Sequence, residues 1–290
     1  MPPAAIRTVL RLGTTSPPDV TVLTAPLSGG AVYAEVLIQS AAGATFPTKD
    51  VGRAKYEDLI VTLGDSASAP FLAWLATAWQ ASPPQRSGAV LTVDGQTIRS
   101  QTSFGPALIS EASFPALGGA NPRTDVQLRI VPTVTDTTSC SGSLTFNTTQ
   151  KLWRSVNFRL ELTGLDTTGV IRIEAFTVRR KVDFVTSGSG PVSLVARHLD
   201  IPNLTVTLAA ARAAAWRSWH RSVVIEGNHG AGAERDGALV FLSSDLTTEL
   251  SRIQLRKVGI FRFAPTDDLS RSVAHLYCEQ MALILPAAMA

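Results

Sequence analysis

One order of signals occurs twice in this chain, about 140 to 150 residues apart, and nothing else in the sequence constrains the fold as strongly. In the first copy, Gly52, Arg53, Lys55 and Tyr56 form a basic turn. It leads into the β-branched run 59–63, which ends at Gly64. A helix is expected next: Asp65, Ser66 and Ser68 are candidate N-caps, Pro70 suits a first turn, and Phe71, Trp74, Leu75 and Ala78 recur at three- and four-residue steps. Pro83 and Pro84 stop it, and 87–93 opens another strand. In the second copy, Ile201, Pro202 and Asn203 lead into the strand 204–208. An Ala- and Arg-rich helix over 209–223 with Trp216 and Trp219 follows, then the strand 236–242. Upstream, 6–13 aligns with 156–164 and 32–38 with 170–177; downstream, 125–133 aligns with 272–280. Tandem duplication of one α+β unit accounts for all of these.

The 290 residues suit two such units, each large enough for a core of its own. Residues 1–140 are expected to form the first domain, 141–150 the linker and 151–290 the second domain. The whole Thr- and Ser-rich stretch 135–150 reads as connecting chain. Hydrophobic residues make up 45% and charged residues only 17%, so much of the surface is covered by something other than charge, as in a subunit of an assembly or equally in a compact Ala-rich protein. Residues 1–150 carry nine Lys/Arg against ten Asp/Glu, and 151–290 carry seventeen against thirteen. The basic clusters Arg179, Arg180, Lys181 and Arg252, Arg256, Lys257 could contact nucleic acid. Their interleaving with Asp and Glu fits solvated faces or subunit ion pairs better.

Other classes find less support. The two cysteines, Cys140 and Cys278, form no CxxC pair and imply neither a zinc site nor a disulfide framework. No signal peptide and no apolar run of membrane length is visible, so synthesis and assembly in the cytoplasm are expected, without a membrane span. GxSxG, HExxH and GxxxxGK[ST] are absent, and His198, His220, His229 and His275 are too scattered to bind a metal together. The glycine-rich turn at Gly227 lacks the Lys and Ser/Thr of a phosphate loop. No catalytic, cofactor or metal residue is therefore assigned, and an enzyme is not expected. A carbohydrate- or other ligand-binding β-sandwich using Trp74, Trp79, Trp216 and Trp219 as stacking platforms is the alternative from a different class.

Along the first unit, strands are expected at 6–12, 20–23 and 31–39, a long loop over 41–55, and a hairpin about Asp94 and Gly95 returning through 97–108. The second unit repeats the plan, with 156–162 alternating apolar and polar, 170–178 returning, a tip at 187–191, and closing strands at 250–263 and 273–285. The fold class is mainly β (α+β): two tandem antiparallel β-barrel or sandwich domains, each with one packed helix carried on Trp74 in the first and on Trp216 and Trp219 in the second.

The run Gly52, Arg53, Lys55, Tyr56, Leu59, Leu63, Gly64, with Trp74 and the Asp94, Gly95 turn, resembles the tail-tube fold of contractile phage tails and related contractile injection systems. In the second unit 158–164, 204–208, Trp216 and Phe261 fall in the same order, while Arg197, His198, Leu199 and Asp200 replace the basic motif. The resemblance implies a structural subunit of the inner tube, which joins sheets edge to edge into a ring around a channel and stacks ring on ring. Because the chain is duplicated, three copies would give a pseudo-sixfold ring, with a hexamer the other count. A baseplate hub or tube initiator between tube and spike is the alternative within this class. It also implies that Gly52, Arg53, Lys55 and Tyr56 lie at a stacking interface and that removing 41–55 blocks stacking. The expected partners are other copies of the chain and the sheath, hub or spike proteins of a virion tail or released particle, with DNA or an effector passing through the lumen.

Overall fold

The computed structural model describes residues 6–13, 20–40, 42, 45–63, 67–119, 126–144, 154–186, 192–230 and 232–285. Gly64, Asp65, Ser66, the tip 187–191 and the linker residues 145–150 lie outside the described residues. Among the described residues the protein is mainly β, with barrel-like curvature and two α-helices. The first half contributes β1 (Ile6–Leu12), β2 (Val20–Leu23), β3 (Ser28–Gly29), β4 (Val32–Gln39), β5 (Thr48–Tyr56), β6 (Leu59–Thr62), helix α1 (Ala69–Thr77), β7 (Arg86–Asp94), β8 (Thr97–Phe114), β9 (Gln127–Pro132) and β10 (Thr135–Ser143). The second contributes β11 (Phe158–Leu162), β12 (Val170–Ile173), β13 (Phe176–Thr186), β14 (Val192–Asp200), β15 (Leu204–Ala209), helix α2 (Ala214–His220), β16 (Arg235–Leu242), β17 (Glu249–Pro265) and β18 (Arg271–Ile284).

The two halves share one strand order. The first follows β1-β7-β8-β9-β6-β3 and the second β11-β16-β17-β18-β15-β12. Even the irregularities coincide: the β7/β8 register slips between Arg86 and Gly88, and the β16/β17 register between Arg235 and Gly237. The β8/β9 slip between Ile109 and Glu111 recurs in β17/β18 between Ile260 and Arg262. A bulge changes the bend and twist of a sheet, so two shared bulges mean that both sheets curl alike. Gly88 and Gly237 are fixed for one reason. A Cβ on either would stand 2.3 Å from Arg11 O or 2.0 Å from Glu161 O, the facing backbone of the neighbouring strand.

The helices close the sheets. Ser68 caps α1 by accepting a hydrogen bond from Phe71 N at 3.4 Å, and Pro70 lies in the first turn. Trp74 donates its indole N–H to Pro84 O at 3.1 Å, and Trp219 donates to Ala233 O at 2.9 Å, in each case two residues before the following strand. Trp219 is therefore the counterpart of Trp74, and Trp216 takes the place of Phe71. The edge-to-face pairs agree, with Phe71 and Trp74 at 6.1 Å and Trp216 and Trp219 at 6.2 Å. This corrects the order-based match of Trp74 with Trp216. The expected single helix over 209–223 is instead a 3-10 turn (Ala210–Arg212), α2, and a wide π turn (Arg221–Ile225).

Four other expectations change. Thr48–Tyr56 is a strand, so Gly52, Arg53, Lys55 and Tyr56 lie on β5 rather than in a turn. Thr135–Ser143 is a strand paired with β8, so chain read as connection, including 141–143 of the linker, extends the first sheet. The counterpart of 170–173 is the short β3, which pairs β6 as β12 pairs β15, and β4 corresponds to β13 rather than to 170–177. Finally, the two halves do not bury separate cores. One apolar cluster runs from Leu10, Phe71 and Trp74 through Phe114 and Phe176 to Trp216, Phe241 and Leu276.

Candidate assembly interface

The sheets are joined by strand pairing between halves. After Ile173 the chain leaves the second sheet, and β13 adds to β8 of the first, setting Phe176 opposite Phe114, Thr177 opposite Ser113, Val178 opposite Ala112 and Arg179 opposite Glu111. Thr177 and Ser113 share a hydroxyl hydrogen bond at 2.9 Å, Arg179 pairs with Glu111 at 3.5 Å, and the Phe114 and Phe176 rings stack at 4.9 Å. β14 follows β13 and buries Leu194 against Leu108 and Val131. Arg180 fastens the seam. Its guanidinium, 6% exposed as a residue, donates to Ala78 O at 3.1 Å, Gln80 O at 2.7 Å and Arg197 O at 2.6 Å, tying the end of α1 to β14. Burial lowers the Arg180 pKa below the usual arginine value, but three carbonyl acceptors hold the charge in place.

The counterpart hairpin of the first half is treated differently. Among the described residues β4 and β5 pair only with each other, and β4 is exposed along nearly its whole length. Val32, Tyr33, Val36, Leu37, Ile38, Phe46 and Val51 are all exposed, Phe46 at 80%. A two-stranded ribbon has no core of its own and is marginal in water, and its exposed apolar side chains make it the candidate contact surface. Gly52 lies at the bulge that shifts the register between Ala34 and Val36, where its missing Cβ would stand 3.1 Å from Glu35 O. Lys55 is ion-paired with Glu35 across the ribbon, and that hydrogen bond raises the lysine pKa. Arg53 is exposed and Tyr56 half-buried, so the four residues singled out in sequence share one strand of an uncovered ribbon.

The remaining candidates are structural. Trp74, Trp216 and Trp219 are buried against the sheets, as is Trp79, so none of these four indoles offers a face for sugar stacking. Among the described residues, no cluster of three or more His, Cys, Asp or Glu is placed to hold a metal, and no helix is long and apolar enough to cross a membrane. An open groove of about 460 Å³ beside Glu161, Asp236 and Arg252 has its charges engaged: Arg256 and the Lys257 N–H donate to Asp236, and Arg252 pairs with Glu249. Cys278 is buried and free, its thiol pushed up by burial, and Cys140 is free and half-buried. The signal that sequence reading missed is the joint itself, since Phe176 meets Phe114, and Arg180 meets the end of α1, only in space. No family model matches the sequence, and no curated protein matches it.

Proposed function

We propose that this chain is a structural subunit that joins copies of itself into a ring enclosing a channel, as the inner tube of a phage tail or contractile injection system does. The observation that carries the reading is the uncovered ribbon β4/β5 in a chain whose other half has the same ribbon paired onto a neighbouring sheet. One chain holds two sheets of one topology, and a hairpin from the second half already pairs onto the first sheet. Repeating that joint between chains gives a head-to-tail contact, which closes into a ring when the rotation is right. Three copies then present six similar sheets. Closure also removes the exposed strand edges that otherwise drive aggregation. The resemblance of 52–64 to tail-tube motifs supports the tube, and the inequality of the halves, with β2 and β10 added only to the first, supports a hub or tube initiator as the second reading.

Negative-stain imaging of the purified full chain tests this. Rings with a central hole and six lobes are expected, stacked for a tube subunit and single for a hub. Compact particles without a hole would overturn the proposal.

A further inference from the structure

The strand registers of the two halves coincide around β8 and β17. β8 carries two neighbours along one edge: β7 as far as Ala107, then β13 over 111–114, while β9 occupies the opposite edge. In the second half β16 covers the same edge of β17 as far as Val258, and β18 occupies the other edge throughout. Beyond Val258 nothing pairs with the β16 side of β17 among the described residues. Ala107 and Val258 are equivalent, because each faces the arginine at the start of the preceding bulge, Arg86 or Arg235. Hence 111–114 corresponds to 262–265.

The surroundings of that edge repeat too. In the first half the joint is filled by Val178, Arg180 and Leu199 packed over Trp79 and Ile109, with no room left for water. Its counterpart in the second half is a cavity of about 260 Å³, lined by Val223, Val224, Ile260, Phe261 and Tyr277. Phe261 is 44% exposed and Val224 41%, whereas their first-half counterparts Ser110 and Trp79 are buried. Gly259 keeps the floor flat: Tyr277 crosses it so closely that a Cβ there would stand 2.1 Å from the ring. One joint of the repeat is thus occupied and the other vacant.

We infer that the vacant edge 262–265 of β17 takes the base of the β4/β5 ribbon from a second copy of this chain. The inference rests on the ring reading and adds the edge, the strand and the register. The alignment that sets Lys55 with Asp200 and Tyr33 with Arg179, cross-strand partners in their respective ribbons, makes 30–33 the counterpart of 176–179. Tyr33 of one copy then faces Arg262 of the next, Val32 faces Phe263 and Ala31 faces Ala264; the pairing stops there, because Gly30 is buried in its own chain with its carbonyl accepting from the Thr135 hydroxyl at 2.8 Å. Val32 and Ala34 replace Val178 and Arg180, so an apolar strand meets the apolar wall of Val224 and Phe261. Charge keeps the two joints distinct. A second copy's β13 in this seat would set Arg179 against Arg262, two like charges, whereas Tyr33 sets an aromatic hydroxyl there.

Two single-cysteine chains test the register, Ala31→Cys and Ala264→Cys, each in a Cys140→Ser background. Their counterparts Thr177 and Ser113 are in hydrogen-bond contact at 2.9 Å. Under mild oxidation, disulfide dimers should form when the two chains are mixed and not with either alone, and a chain carrying both should close covalently. The out-of-register mixture of Ala31→Cys with Phe263→Cys should stay unlinked, because a one-residue slip turns the side chain to the other face. Phe261→Glu should abolish assembly while the protein still folds. Assembly that survives Phe261→Glu, or that links the control pair as well as the in-register pair, would refute this joint and leave the ring intact. Chains that stay monomeric without any substitution would refute the ring and the joint together.

Discussion

The rings of Phe114 and Phe176 stack 4.9 Å apart and 11° from parallel, one from each half of the chain, with Trp79 at 6.1 Å and Phe241 at 6.3 Å from Phe114. Residues 62 positions apart in sequence thereby sit at the centre of one continuous core. The halves are consequently expected to unfold as one unit.

Phe176→Ala tests that coupling. Removing a buried phenylalanine costs about 3–5 kcal/mol. The loss should fall on the single transition of both halves in urea, followed by the fluorescence of Trp74 and Trp79 in one half and of Trp216 and Trp219 in the other. Two separated transitions in the unsubstituted protein would show independent cores.

Arg180→Ala removes the donor to three main-chain carbonyls. Only the bond to Ala78 O is fully buried, the other two acceptors being reached by water, so the cost of one unpaired buried acceptor, about 1–3 kcal/mol, is expected. Arg180→Lys should recover only part of it, because an ammonium cannot reproduce the planar fork. Hydrogen exchange should quicken at the end of α1 and along β14 while the far edge of the second sheet keeps its protection.

Asp268 gives a pH signature. Hydrogen bonds from the Ser270 hydroxyl, the Thr266 hydroxyl and the Ser270 N–H hold its carboxyl down to about 2. A carboxylate near 3.9 when unfolded and lower when folded adds stability that is fully present above about pH 4. That contribution is lost as the pH falls through 2. Thermal melts across this window should fall less steeply for Asp268→Asn than for the unsubstituted chain.

Val36→Ser together with Ile38→Ser leaves folding almost untouched, since both side chains are exposed. Surface changes of this kind usually stay within about 0.5 kcal/mol. Self-association should nonetheless weaken, as read by light scattering against concentration. Deleting 41–55 is the wrong version of this experiment, because it removes β5 and with it the partner of β4.

Much of the architecture could be read locally. The runs 59–63 and 236–242 and the helices around Trp74 and Trp219 carry their periodicity in a few adjacent residues. β5 was missed because Lys49, Asp50, Arg53 and Lys55 break any apolar alternation in a ribbon that is exposed on both faces. β10, with its sequence TDTTSCSGS, lies at an outer position where polar side chains can face water. The Trp216 and Trp219 assignment shifted because a 3-10 turn delays the start of α2 and changes its phase. The joint between halves was invisible because strand pairing across 62 residues depends on which edges the bulges leave open, and spacing along the chain carries no trace of that.

The most direct test of the central claim is the mass of the purified full chain in solution at micromolar concentration, measured by mass photometry or native mass spectrometry. Closure by the head-to-tail joint predicts a discrete species; for three 30.8 kDa chains, three times 30.8 gives about 92 kDa. A single species at the mass of one chain, unchanged as concentration rises, would contradict the account.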